Sequence, residues 1–319
     1  MQPVPVICDV DTGIDDAMAL LLAVRHPTID LRAVTCVVGN TSLDQVMANT
    51  LYVLDAAGAD EIPVARGAAR PLLAPPQDAG HVHGSDGLGG FSRPSDRRIS
   101  DLSAIELLRR ELVAAIGIGE RITLVPLAPM TNIALLLRTY PEVAPGIERI
   151  LFMGGAAGGG NATAVAEFNV WHDPEATAMT LAACGELDIP VTMYGLDVFN
   201  DVVVDGEDAR ALRAKPDAGA QLAAGLIDAQ RAVFGSEAIT IGDAGAVCAV
   251  IDPDGIGTAR YPVRVELGEG YGRGQTIVDR RTWAGDRHRD PHGPATPVHV
   301  ALTVDAARFA ELWLDTVGG

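Results

Sequence analysis

The chain has 319 residues, of which 48% are hydrophobic and 21% are charged, and its formal net charge is −18 at pH 7. This composition excludes a disordered chain and fits one large α/β domain or two small ones. The acid excess argues against nucleic acid and anionic membranes as partners, since both present negatively charged phosphate groups.

The N-terminal residues and the cysteines indicate the compartment. Residues 1–8 lack a basic start and a long apolar run, and the most apolar stretch, Ala17–Val24, is too short to span a bilayer. Four scattered cysteines lie in apolar contexts without metal-binding spacing, namely Cys8, Cys36, Cys184 and Cys248. We therefore expect a cytoplasmic protein with reduced core cysteines and no membrane partner.

Short apolar runs alternate along the chain with segments of helical periodicity. The predicted strands are Val4–Val10, Leu31–Val38, Ile62–Ala65, Ile122–Leu127, Ile147–Met153, Val191–Leu196, Val263–Leu267 and Val298–Val304. The predicted helices are Ile14–Arg25, Leu43–Ala57, Ile105–Ile116, Asn132–Arg138, Pro174–Cys184, the segment from Asp205 to Phe234, and Asp305–Val317. Continuous apolar strands are typical of a parallel sheet buried on both faces, so we predict an α/β fold with a mostly parallel, Rossmann-like open sheet flanked by helices.

Three segments break this alternation. Leu72–Ser100 is rich in Gly, Pro, Asp and His, and Gly154–Asn169 is first Gly-rich and then polar. Long loops in a compact domain are commonly functional, so both are candidate site loops. The stretch Arg280–His292, which contains Trp283, is expected to be a mobile surface loop.

Four aspartates lie at the end of the first predicted strand and just after it: Asp9, Asp11, Asp15 and Asp16. Side chains alternate along a strand, so Asp9 and Asp11 share one face of its end, and Gly13 permits a sharp turn into the helix. Asp15 and Asp16 then fall in the first helical turn. Carboxylates this close repel one another, and a hard divalent cation would neutralise them at the strand ends where α/β sheets bind ligands.

Other interpretations of this cluster are weaker. Helix capping explains one or two acids but not four. A calcium loop of the EF-hand type expects Asp or Asn where Gly13 stands. A metal-dependent phosphatase of the haloacid dehalogenase type also has Asp-x-Asp after a strand, but it expects Thr or Val at this glycine.

An ordered set of motifs resembles the inosine–uridine-preferring nucleoside hydrolases along nearly the whole chain. The first motif is Asp9-x-Asp11-x-Gly13-x-Asp15-Asp16. The others are Val38-Gly39-Asn40, His81-Val-His83-Gly84, Pro129-Met-Thr131-Asn132-Ile-Ala134, Met153-Gly-Gly155, Asn161, Glu167-Phe168-Asn169-x-x-x-Asp173-Pro-Glu-Ala176, Asp243, Asp252-Pro253 and Gly274-Gln-Thr276-x-x-Asp279. The resemblance implies a single domain over residues 1–319, with a helical C-terminal part beside the site.

The resemblance also implies roles for individual residues. A Ca²⁺ ion would be held by Asp11, Asp16, the backbone carbonyl of Leu127, and Asp243, all of them oxygen donors. Asp11 would take a proton from the metal-bound water that attacks the anomeric carbon. The ribose hydroxyls would be bound by Asp15, Asn40, Asn161, Glu167 and Asn169. Asp9 would orient the ligand loop, although a local turn or cap role is an equal alternative.

The sequence departs from the family where the leaving base is handled. Many members have a His directly before the C-terminal metal-binding Asp, and here that place is Gly242. His83, with His81 behind it, is the remaining candidate to meet the base, against the alternative of a solvated loop histidine. Gln230 and Phe234 lie four residues apart on one helix face and could line the base pocket, although Phe234 could also be a core residue. Trp171 and His172 could also point toward it.

The principal hypothesis is a Ca²⁺-dependent hydrolase of the N-glycosidic bond of ribonucleosides, expected to form a homodimer or homotetramer. The alternative is a nucleoside- or ribose-binding homologue with weak or no catalysis, which Gly242 favours. The identity of the base is not readable from these residues.

Overall fold

The central sheet has nine strands, most of which are parallel. The computed structural model describes residues 2–59, 61–283 and 295–319. The strands are β1 (Val4–Val10), β2 (Ile29–Cys36), β3 (Val64–Arg66), β4 (Ile122–Pro126), β5 (Ile147–Met153), β6 (Val191–Tyr194), β7 (Val203–Asp205), β8 (Ala238–Thr240), β9 (Ile256–Val265), β10 (Thr276–Val278) and β11 (Thr296–Val304). Their order in the large sheet is β10-β9-β11-β6-β5-β4-β1-β2-β3, and β7 pairs with β8 separately.

Helices cover the sheet. They are α1 (Ile14–Arg25), α2 (Leu43–Ala57), α3 (Gly80–His83), α4 (Ala104–Ile118), α5 (Thr131–Thr139), α6 (Phe168–His172), α7 (Pro174–Glu186), α8 (Leu196–Phe199), α9 (Gly206–Arg213), α10 (Ala218–Phe234), α11 (Ala244–Ile251) and α12 (Ala306–Gly318), with 3₁₀ turns at Pro141–Gly146 and Pro253–Gly255. In the part of the chain that the structure describes, no helix is long and apolar enough to cross a membrane. The four cysteines are free and buried.

The strand order reverses at β1, and this reversal positions the site. The chain runs from β1 outward to β2 and β3, then returns to place β4 on the other side of β1, with parallel pairing on both sides. In open α/β sheets a crevice for ligands forms at the carboxyl ends of the strands at such a reversal. Asp9 is the penultimate residue of β1, and Asp11, Asp15 and Asp16 come soon after the strand ends, so all four aspartates lie at this crevice.

Helix α1 is buried on nearly all sides because its sequence is apolar all round. It packs against α2, α10, α11 and α12, so the C-terminal helices form a layer over it. Trp313 of α12 donates its indole N–H to the carbonyl of Met18 at 3.1 Å. The α1 N-terminus, which carries Asp15 and Asp16, is thereby held rigidly against the sheet.

Several predicted elements need correction. The predicted helix between Asp205 and Phe234 is two helices, because the chain breaks at residues 214–217, where Pro216 lies, and α10 restarts with Asp217 as its N-cap. The predicted strand Val263–Leu267 is the end of the longer β9. Thr131 is the first residue of α5, and its hydroxyl donates to Asp173 Oδ2 at 2.6 Å. Residues 284–294 of the predicted mobile loop lie outside the described residues.

Candidate active site

Asp9 joins the ends of neighbouring elements beneath the site. Its Oδ1 accepts hydrogen bonds from Thr35 Oγ1 of β2 at 2.6 Å and from Asn132 Nδ2 of α5 at 2.7 Å. Its other oxygen, Oδ2, is buried without a partner among the described residues. Burial raises the pKa of Asp9 to about 7, against the lowering effect of these two hydrogen bonds. The contacts fit an orienting role for Asp9.

Asp11 is buried, and Asn40 binds its carboxylate twice. The backbone N–H of Asn40 donates to Asp11 Oδ2 at 2.7 Å, and its side-chain Nδ2 donates to Asp11 Oδ1 at 3.2 Å. A Cβ atom placed at Gly39 by standard geometry would lie 1.8 Å from Asp11 Oδ2, so glycine is required there. Burial, and then the charge of Asp16, raise the pKa of Asp11 well above its ordinary value.

Asp16 fixes the turn between β1 and α1. Its Oδ1 accepts the N–H of Asp11 at 3.1 Å, and its Oδ2 accepts the N–H of Gly13 at 2.9 Å. Asn40 Nδ2 also donates to Asp16 Oδ2 at 3.2 Å, so one amide joins two carboxylates. Burial, followed by the charge of Asp15, raises the pKa of Asp16 to about 7. Helix capping is therefore one function of Asp16, and Asp15 Oδ1 also accepts the first-turn N–H of Asp16 at 3.3 Å, but capping does not account for Asp9 or Asp11.

Three carboxylates converge where the N-termini of α1 and α11 meet. One oxygen from each of Asp15, Asp16 and Asp243 lies within 4.8 Å of the others. Asp243 precedes α11 but its side chain does not cap that helix, which leaves the carboxylate free to face the cluster. Burial, and then Asp15 and Asp16, raise its pKa well above its ordinary value.

The donor set fits a hard divalent cation. All three groups are carboxylates, and Asp11 stands beside them. Among the ion pairs of the described residues, only that of His83 Nδ1 with Asp15 Oδ1, at 3.8 Å, reaches this cluster. Burial lowers the pKa of His83, so this histidine is a poor counter-charge. A bound cation would supply the positive charge that these side chains lack.

A second group of polar residues extends from the Gly-rich loop. Glu167 caps α6: its Oε1 accepts the N–H of Asn169 at 2.8 Å, and its Oε2 accepts those of Gly155 at 2.8 Å and Val170 at 3.1 Å. Burial raises the pKa of Glu167 to about 7. Asn169 Nδ2 donates to the carbonyl of Leu127 at 3.0 Å, which brings this predicted metal ligand to the site. Asn161 is exposed at the rim.

A cavity of about 550 Å³ opens over these groups. Its lining includes the predicted residues Asp15, Asn40, His83, Leu127, Asn161, Glu167, Asn169, Gln230, Phe234 and Asp243. Phe234 is 57% exposed at the end of α10, so the alternative that it belongs to the core is wrong. Gln230 is buried, and its Oε1 has no partner among the described residues. Trp171 lines the cavity, whereas His172 turns away and bonds the carbonyl of Gln77 at 3.1 Å.

His83 is not a solvated loop residue. It is 5% exposed, and its Nδ1 accepts the backbone N–H of Ile14 at 3.1 Å. In the neutral imidazole the hydrogen is therefore on Nε2, which makes that nitrogen a donor. The ring thus lies against the N-terminus of α1, while His81 is exposed at the cavity rim.

The backbone at Gly242 adopts a φ of +56°, which L-residues rarely adopt. A Cβ atom placed there would lie 2.6 Å from Asp15 Cβ and 3.0 Å from Phe199 Cζ. The glycine is therefore required by the local packing. The sequence did not identify Phe199 or Thr240, because their importance depends on which backbone segments approach one another.

Comparison with known proteins gives a consistent result. The family model "Inosine-uridine preferring nucleoside hydrolase" matches residues 6–311. The chain is 34% identical over 319 residues to the pyrimidine-specific ribonucleoside hydrolase RihA of Shewanella sp. strain MR-7, covering 98% of this chain and 96% of that protein. It is also 34% identical to the inosine-uridine preferring nucleoside hydrolase of Leishmania major, covering 99% and 98%. The solved plant nucleoside hydrolase PpNRh1 superposes with a TM-score of 0.88 and 31% identity, covering 99% of both chains.

Proposed function

Because the chain belongs to the inosine-uridine preferring nucleoside hydrolase family, we propose that it is a Ca²⁺-dependent enzyme that hydrolyses the N-glycosidic bond of ribonucleosides to ribose and free base. The observation that carries this proposal is the convergence of Asp15, Asp16 and Asp243 at a cavity whose lining combines carboxylates and amides with aromatic rings. Relatives named for pyrimidine nucleosides and for inosine and uridine leave both base classes open.

The residues that hold the cation are Asp16 and Asp243, together with Asp11 and the carbonyl of Leu127. Asp15 stands close enough to the first two to share the ion as well as to bind the sugar. Ca²⁺ suits this set because it takes six to eight oxygen ligands in flexible geometry. When bound, the cation neutralises the buried carboxylates and makes water a stronger acid.

Asp11 acts as the base that takes the proton from the attacking water. Its buried position supports this role, since burial raises its pKa and makes the carboxylate a stronger proton acceptor. Asn40 holds both oxygens of Asp11 through its N–H and amide groups. The carboxylate is therefore fixed in orientation before substrate arrives.

The ribose hydroxyls are bound by Asp15, Asn40, Asn161, Glu167 and Asn169. The amide of Asn169 donates to the carbonyls of Leu127 and Met153, at 3.0 and 3.2 Å, which leaves its Oδ1 as an acceptor. Asn161 has the opposite arrangement: its Oδ1 accepts the N–H of Phe168 at 2.9 Å, which leaves its Nδ2 as a donor. Hydroxyl groups both donate and accept, so these two amides are complementary partners.

The base lies toward Gln230, Phe234 and His83. The Nε2–H of His83 can donate a hydrogen bond to a base nitrogen or oxygen. Gln230 offers a side-chain amide whose Oε1 has no partner among the described residues.

The oligomeric state and the compartment remain predictions: a homodimer or homotetramer in the cytoplasm. Light scattering after size-exclusion chromatography measures the first.

A nucleoside-binding homologue with little catalysis is the second candidate function. The observation in its favour is Gly242, because no side chain can approach the leaving base from that position. Calorimetry that shows tight ribonucleoside binding, without release of reducing sugar, would favour this candidate.

A reducing-sugar assay over purine and pyrimidine ribonucleosides tests the proposal. We expect release of ribose from at least one nucleoside in the presence of Ca²⁺, and a loss of at least 10³-fold in Asp11→Ala, on the scale of removing a catalytic base. Asp254→Ala, which changes an exposed aspartate in a 3₁₀ turn, is the matched control and should keep full activity. No turnover across the panel would contradict the proposal.

A further inference from the structure

Phe199 lies beside the carboxylate cluster, although its four-residue helix gives no sequence signal. Helix α8 follows closely on β6, and the half-buried Phe199 side chain lines the cavity. Its Cζ lies 3.0 Å from the point where a Cβ atom of residue 242 would stand, so the tip of the ring abuts the Gly242 backbone. Asp15 Cβ lies 2.6 Å from the same point. The ring and the Asp15 carboxyl group are therefore neighbours.

One hydroxyl group joins the two segments that meet there. Thr240 Oγ1 donates to the carbonyl of Phe199 at 2.6 Å and accepts the N–H of Gly242 at 3.0 Å. Because Gly242 has no side chain, α8 can approach this closely. Thr240 then fixes the distance between the two backbones, and the position of the Phe199 ring is coupled to that of Gly242.

The cavity lining contains two chemical kinds of side chain. Carboxylates and amides suit a sugar, whereas Phe168, Trp171, Phe199 and Phe234 contribute aromatic surface. A flat heteroaromatic base packs favourably on such rings. The Gly242 geometry places the Phe199 ring next to Asp15, and so next to the sugar end of the cavity.

We propose that Phe199 is a specificity-determining residue whose ring forms the wall of the base subsite nearest the ribose, and that Gly242 is required to make room for it. This inference rests on the proposed function, since it assumes a ribonucleoside in the cavity. At this wall the base is recognised by contact with the Phe199 ring. Gly242 has no side chain that could make such a contact.

Phe199→Leu tests the inference, because it removes the ring while keeping most of the apolar volume. The readouts are kcat/KM for a panel of ribonucleosides and the inhibition constant of free ribose, which has no base. We expect kcat/KM to fall roughly tenfold, the size of one lost base–ring contact, mainly through a higher KM. The ribose inhibition constant should stay unchanged.

Leu196→Ala is the matched control. Leu196 belongs to the same short helix and is half-buried, but it is outside the cavity lining. It should leave both readouts at wild-type values. Phe199→Met replaces the leucine variant if that variant does not fold.

The outcomes distinguish the inference about Phe199 from the proposed function on which it rests. If the wild-type enzyme cleaves ribonucleosides and Phe199→Leu keeps its kcat/KM, the inference is overturned while the proposed function stands. A rise in the inhibition constant of ribose that equals the fall in kcat/KM for nucleosides also overturns the inference, because it indicates a general disturbance of the sugar site. A wild-type protein that cleaves no ribonucleoside overturns both.

Discussion

Asn40 illustrates how single residues hold this site together before any ligand binds. Its side-chain amide donates to both Asp11 and Asp16, and its backbone N–H donates to Asp11. These carboxylates repel each other, and the pKa of each is raised. Asn40 therefore supplies the hydrogen-bond donors that allow two buried acids to stand side by side.

Asn40→Asp replaces these donors with a further carboxylate. We expect the melting temperature at pH 8 in chelator to fall by about 5 °C or more, because two hydrogen bonds to charged groups are replaced by repulsion. Ca²⁺ should restore part of the loss. Differential scanning calorimetry measures both, with the exposed Asn200→Asp as the control. An unchanged melting temperature would show that Asn40 does not stabilise the pair.

Gln230 is a residue at which stability and function oppose each other. Its Oε1 is buried without a partner among the described residues, an arrangement that costs free energy in the protein without substrate. Gln230→Leu should keep or raise the melting temperature, while KM for ribonucleosides rises about fivefold or more through loss of a hydrogen bond to the base. The exposed Gln221→Leu on the same helix should leave KM unchanged. A destabilised Gln230→Leu variant would contradict this account.

At the scale of elements, an edge strand supports the Gly-rich loop. Thr276 of β10 accepts the N–H of Ala156 at 2.8 Å and donates to the carbonyl of the same residue at 2.6 Å. The adjacent Gly155 N–H donates to Glu167, so β10 is connected through two residues to a side chain that we propose binds the sugar. The Gly274-Gln-Thr276 motif thus has a structural function far from its place in the sequence.

Thr276→Val removes both hydrogen bonds at nearly constant shape. We expect the melting temperature to fall by about 3–8 °C, because the buried N–H and carbonyl of Ala156 lose their partner. KM should rise, since Glu167 loses its support, and Thr276→Ser should recover most of both effects. The exposed Thr258→Val on β9 is the control. A rise in KM without any loss of stability would argue against this anchoring role.

The sequence predicted elements well where their pattern is local. The bounds of β1, α1, α2 and β5 agree with the structure because apolar periodicity and flanking glycine or proline define them. Strand β10 has three residues and exists through its pairing with β9, so no local pattern predicts it. Phe199 also lacks a local pattern, because its proximity to Gly242 depends on chain segments about forty residues apart. The ordered motifs predicted the residues that we assign to the sugar, whereas the position of Phe199 beside Gly242 is visible only in the three-dimensional structure.

At the scale of the whole molecule, the topology concentrates buried acids at one edge of the sheet. Asp9, Asp16 and Glu167 each have a pKa raised by burial to about 7, against about 4 in an unfolded chain. The folded protein without metal therefore holds protons that the unfolded chain releases. Its free energy of unfolding falls as pH rises from about 4 through about 7.

The stabilisation by Ca²⁺ should consequently increase with pH. As pH rises through about 7, Asp16 loses its proton, so repulsion within the cluster grows in chelator and the cation is bound more strongly when it is present. We expect the melting-temperature difference between Ca²⁺ and chelator to grow from pH 5.5 to pH 8. Asp243→Asn, which removes one carboxylate from the cluster, should shrink it. A difference that stays constant across this range would contradict the assignment of these acids to a metal site.

The most direct test of the central claim is the rate of ribose release by chelator-treated protein as Ca²⁺ is added back. The account predicts negligible release without the ion and a saturable return of activity with one Ca²⁺ per chain, which Asp16→Asn and Asp243→Asn both weaken. Full activity in excess chelator would contradict the claim that this carboxylate cluster acts through a bound cation.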